Sequence, residues 1–351
     1  MPQRGGGKPS AGAFYDSDFS TIDSLLAVSL LYGLQGKNDC RVVTICVSRP
    51  NLAVARLVDV VDHFYHGGGS GPGGGKGAPI GMATAGKPGE TSPAFVAPME
   101  KKKLDGTPVY KTEVKSVIET ADPATLFRNY LEAQQDQNAF VVLAGPATDL
   151  AAALDLPGVK PLIAAKVQYL AFAGGAFPSG AAEAHIKGDI PAAKKLFSEW
   201  PTPIFAAGAE VGGVLEFPGA SIDKQFAEAA ADHPVADAYR AYKTMPYDAP
   251  SWALAAALYA AQPKEGYFKL SGPGKISVDG EGRTSFAASE KGSHQYLVVD
   301  PAQKGKVILA YMELASAKPV APQRFRGPQQ QQAEPPKDTP AKAAPPSPPK
   351  K

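Results

Sequence analysis

Apolar residues recur in two rhythms along the chain, and the change between them sets out its elements. Residues 25–34 are mostly apolar and predict a buried helix, whereas 41–47 are rich in β-branched residues and predict a strand. In Leu52–Tyr65 the positions Leu52, Ala55, Leu57, Val60, Val61 and Phe64 share one side of a helix. The same reading gives a helix over 125–135, a strand over Ala139–Ala144 and a helix beginning at 148–154. It continues with a strand over Val167–Ala173, a helix over 190–198 and a short strand over 203–206. Strand and helix in alternation predict an α/β fold, a mostly parallel sheet with helices on both faces. Crossovers in such a sheet are right-handed, and ligands gather beyond the carboxyl ends of its strands. After Gln262 the pattern changes to short runs at 275–278, 284–286, 295–299 and 307–309, divided by turns such as Asp279-Gly280. These predict a small antiparallel C-terminal extension, on the sheet edge or as a terminal lobe.

Composition narrows the picture. With 351 residues and 44% hydrophobic positions, the chain can bury a substantial core. Lys+Arg 36 against Asp+Glu 34 leaves a formal charge of +2, which gives no reason to expect nucleic-acid or membrane-surface partners. Cys40 and Cys46 are too few for a disulfide framework or a cysteine zinc site. No apolar run approaches the roughly 18 residues of a spanning helix. Residues 1–12 read as a flexible leader without the apolar middle of a signal peptide, so the expected location is cytoplasmic. Residues 13–315 form the expected compact domain, of which 263–315 is the extension. The Pro/Gln-rich remainder, 316–351, is expected to be a disordered, solvated tail whose Pro-Pro pairs favour extended backbone. The glycine cluster at 67–77 is not a phosphate loop: Ser70 stands where glycine is needed and Gly77 where magnesium needs Ser or Thr. A surface loop is the better reading.

Chemistry concentrates in a few places. Asp16, Asp18 and Asp23 precede the apolar helix, where they either cap its N-terminus or form a hard-cation site, since calcium takes six to eight oxygens. Further along lie Gly145-Pro146-Ala147-Thr148-Asp149, a strand ending in Gly174-Gly175, the segment Glu183-Ala184-His185 before Asp189-Ile190-Pro191-Ala192-Ala193, and Tyr247-Asp248 before a second apolar helix.

That ordered set resembles the inosine–uridine-preferring nucleoside hydrolase family, with its Asp-rich first loop, GPLTN-type turn, Gly-Gly strand end, AEFN-type segment and late aspartate. The resemblance spans roughly residues 14–262. It implies an N-ribohydrolase using one calcium ion that holds the ribose 2′- and 3′-hydroxyls and an activated water, with a small nucleoside as partner and assembly into homo-oligomers. Carried over by residue, Asp18 is the metal-binding aspartate and general base. Asp16, Asp23, Thr148 (through its carbonyl) and Asp248 complete the implied metal set. Asp23, Gly174, Gly175, Glu183, His185 and Tyr247 fall at substrate-binding positions. Two departures stand out. The family's loop ends in two aspartates, but this one keeps only Asp23, flanked by Ile22 and Ser24; and Tyr247 replaces an acid histidine although its reference pKa is near 10. The missing carboxylate leaves open a relative that binds a nucleoside or sugar without turnover.

Overall fold

A computed structural model describes residues 9–66, 77–90 and 92–319. The leader up to Lys8, the glycine cluster through Lys76 and the tail from Val320 lie outside the described residues. Among the described residues, the body of the sheet is parallel and contains β1 (Ala11–Ser17), β2 (Cys40–Val47), β3 (Ile80–Met82), β4 (Ala139–Ala144), β5 (Val167–Ala173) and β6 (Ile204–Ala207). Their order is β3-β2-β1-β4-β5-β6.

Alternation along β1 shows how the layers form. Ala13 and Tyr15 face a core built with helices Ile22–Gly36, Leu52–Tyr65, Pro234–Tyr242, Trp252–Ala261 and Lys304–Ala315. Phe14 faces the opposite core, made with helices Pro123–Glu132, Thr148–Ala153, Val159–Lys166 and Ile190–Glu199. A strand covered on both faces must be apolar throughout, and β4 is buried at every residue.

Leu52–Tyr65, β4 and β5 have the predicted bounds, and the helix predicted at 25–34 begins three residues earlier, at Ile22. β1 itself carries no β-branched residue; its place between β2 and β4 makes it a strand, and it takes in Ala11 and Gly12 from the expected leader. One prediction is corrected. Residues 307–309 are helical, within Lys304–Ala315. Val307-Ile308 looks like a strand locally, but the buried residues Val307, Ala310, Tyr311 and Leu314 follow helical spacing while Leu309 is 63% exposed.

The extension joins the sheet edge. His294–Val298 pairs parallel with β6, then Gly274–Val278 and Thr284–Ala288 follow antiparallel. Among the described residues, no helix is long and apolar enough to cross a membrane.

Candidate active site

The carboxyl ends of β1, β2, β4 and β5 bring Asp18, Arg49, Gly145 and the segment from Gly174 to His185 together. β1 leads into Asp18 and then Phe19, whose φ of 52° lies in the left-handed region that non-glycine residues seldom adopt. The turn is held from within: Ser17 Oγ accepts from the Phe19 amide at 3.0 Å, Asp18 Oδ1 from the Ser20 amide at 3.0 Å, and the Phe19 ring is fully buried. Gly145, just after β4, is pressed against this turn. A Cβ there would meet the Asp18 amide nitrogen and Ser48 Oγ, each at 2.7 Å.

Asp18 is the centre of this group, which stands where sheets of this kind place a ligand cleft. Its Oδ2 accepts from Arg49 Nε at 3.3 Å, and its Oδ1 lies 3.8 Å from His185 Nε2. His185 Nδ1 is 2.7 Å from the Ala173 carbonyl, so that nitrogen carries a proton and Nε2 is turned toward Asp18. Glu183 fixes the segment: its carboxylate accepts from the amides of His185 at 3.0 Å and Gly175 at 3.2 Å. Gly175 has φ 77°, which suits glycine. The space a Cβ would need at Gly174 is taken by the Phe172 ring and Glu183 Oε2, so this glycine serves packing within the chain.

Other expected site residues have different partners. Asp23 is buried, and its carboxylate accepts from the amides of Trp252 at 2.8 Å, Ala253 at 2.6 Å and Leu254 at 3.1 Å. It thereby caps the start of the almost wholly buried helix Trp252–Ala261. Burial pushes its pKa up to about 7 despite those three donors. Asp248 is exposed and accepts from the Gly219 amide at 2.8 Å. Thr148 donates from Oγ1 to Asp189 Oδ2 at 2.9 Å. Tyr247 stacks on Tyr239, with ring centroids 4.4 Å apart, and donates its hydroxyl to the Tyr239 carbonyl at 2.7 Å. Burial raises its pKa further, so it is no proton source toward a leaving base.

Asp16 is fully buried, and neither carboxylate oxygen has a hydrogen-bond partner among the described residues. Burial first, then Asp149 and Asp18, hold its pKa well above the usual carboxylate range. Within the implied metal set, Asp16 is the acid with no hydrogen-bond partner on either oxygen among the described residues. Calcium needs six to eight oxygens, whereas Asp23 and Asp248 are engaged with amides and Asp18 with a guanidinium. Among the described residues, no three His, Cys, Asp or Glu side chains gather so as to hold a metal ion. The implied calcium set does not fit the chain as folded.

Sequence reasoning did not single out Arg49. It lies just past β2, and a cation at the carboxyl end of a strand beside an Asp loop was the available signal.

No protein-family model matches the chain, and no curated protein sequence does. Solved structures do. A plant nucleoside hydrolase shares 19% identity over 88% of this chain and 100% of its own, with a TM-score of 0.63. An inosine-guanosine nucleoside hydrolase gives a TM-score of 0.64 at 14% identity, covering 87% of this chain and 98% of its own. The fold is that of the nucleoside hydrolases. A type III effector protein, XopQ, solved with adenosine diphosphate ribose, also matches, with a TM-score of 0.59, 12% identity and coverage of 90% and 94%. On the nucleoside hydrolase fold, the cleft around Asp18 lies at the carboxyl ends of the parallel strands, where such sheets place ligands.

Proposed function

We propose that the chain hydrolyses the N-glycosidic bond of an N-riboside in the cleft around Asp18. The observation that carries this reading is the meeting of Asp18 with His185, held by Glu183, at the carboxyl ends of the strands of a nucleoside hydrolase-like fold. In the proposed reaction a water oxygen adds to the ribose C1′ while the C1′–N bond breaks and its electron pair leaves with the base. Asp18 takes a proton from the water, the departing nitrogen takes one from solvent water, and Asp18 returns its proton to solvent, so one water is consumed and one N–H is formed. The carboxylates beside C1′ favour the positive charge that develops on the sugar. In this reading Glu183 and His185 contact ribose hydroxyls. The reading routes no step through calcium, because among the described residues no three His, Cys, Asp or Glu side chains gather so as to hold an ion.

A second reading, binding of an N-riboside without turnover, is favoured by one observation. Asp18 Oδ2 is already occupied by Arg49 Nε at 3.3 Å, so this oxygen is not free to receive a water. Free-ribose release from adenosine, inosine, guanosine, uridine and cytidine, with calorimetric binding of the same compounds, separates the two. Release supports hydrolysis, binding alone supports the second reading, and neither contradicts both.

A further inference from the structure

The mismatch with calcium has a counterpart in Arg49. This side chain is 20% exposed and reaches the 6% exposed Asp18 through Nε at 3.3 Å. Glycine at 188 leaves the guanidinium its room: a Cβ there would come within 2.7 Å of Nη2. Among the described residues, neither Nη nitrogen has a hydrogen-bond partner, and His185 lies across the same carboxylate. The cleft therefore already has a fixed positive charge on its central acid, with donors to spare.

We infer that Arg49 is the resident cation of this cleft, donating through its guanidinium to the vicinal hydroxyls of the ribose in place of a divalent ion, so that ligand capture needs no metal. A guanidinium suits the task because its donors lie in one plane at fixed spacing and it stays charged at any working pH. Two adjacent hydroxyl oxygens can accept from the two Nη nitrogens while Nε keeps Asp18 in place. The identity of the sugar rests on the N-riboside reading; the independence from metal does not.

The test uses the full chain after dialysis against EDTA. Calcium chloride alone is titrated by calorimetry, and adenosine is titrated with and without calcium. We expect no saturable calcium binding up to about 1 mM, where weak protein calcium sites still fill. Adenosine affinity should change by less than about twofold when calcium is added. Arg49→Met should weaken adenosine binding by about tenfold or more, with Arg49→Lys in between, since a hydrogen bond from a charged donor is worth that much. Stoichiometric calcium binding overturns the inference, as does tenfold tighter adenosine binding with calcium or unchanged affinity in a folded Arg49→Met chain. If the wild type binds no adenosine at all, the N-riboside reading and the ribose-hydroxyl contact fall together. The calcium titration still decides whether the cleft takes a metal, and it needs no variant to fold.

Discussion

Asp18, in the loop after β1, and Asp23, in the first turn of helix Ile22–Gly36, have different tasks. Asp23 turns inward and satisfies three buried amides of helix Trp252–Ala261, so Asp23→Ala should cost about 2–4 kcal/mol in urea unfolding. Asp23→Asn should cost much less, because it keeps a side-chain oxygen where burial already favours a neutral acid. Undiminished stability in Asp23→Ala, with lost adenosine binding, would instead make Asp23 a ligand contact. Asp18 turns to the cleft. Asp18→Asn should lower ribose release by about 10²–10⁴ while circular dichroism shows an unchanged fold, as expected for removal of a general base. The acids were legible in the sequence because a dense Asp run before an apolar helix offers few readings. Their division of labour was not, since capping and metal ligation ask for the same residue at the same place. Arg49 was hidden for another reason: Ser48-Arg49-Pro50 has no spacing that marks it, and only the fold brings it to Asp18.

Among elements, helices and strands with a strong period were legible almost to the residue, as in Leu52–Tyr65 and β4. Failures came where tertiary placement decides. β1 is extended through its two neighbours, and the last helix was obscured by a β-branched pair at its start. That helix docks closely on Ile22–Gly36: Ser29 Oγ donates to the Ala315 carbonyl at 2.6 Å, and a Cβ on Gly33 would lie 2.0 Å from the Leu314 carbonyl oxygen. Gly33→Ala must therefore push two backbones apart. We expect it to destabilise the chain by about 1–3 kcal/mol, the usual penalty of overpacking, measured as a lower urea midpoint. An unchanged midpoint would contradict the close docking.

For the molecule as a whole, buried histidines set one part of the pH response. His233 lies among Phe64, Tyr65 and Phe226, and burial lowers its pKa to about 3. His294 accepts from the Ile276 amide through Nδ1 at 3.0 Å, and burial lowers its pKa to about 4. Both rings are neutral in the fold, whereas the unfolded chain protonates them below about 6.5. Their contribution is thus complete above that pH and declines as the pH falls toward the folded values. The raised pKa of Asp23 acts in the opposite sense, so the histidine effect is read from a difference. Between pH 6.5 and 5 the wild type should lose about 2 kcal/mol relative to His233→Phe. Parallel pH profiles for the two chains would contradict it. The sheet order brings Asp18, Arg49, Gly145 and Gly174 together from four neighbouring strand ends, and their chemistry is tested most directly by free ribose. The purified chain incubated with the five common ribonucleosides should release ribose from at least one, with EDTA present and with release lowered about 10²–10⁴-fold in Asp18→Asn. Release that requires added calcium, or that persists undiminished in Asp18→Asn, would contradict the account.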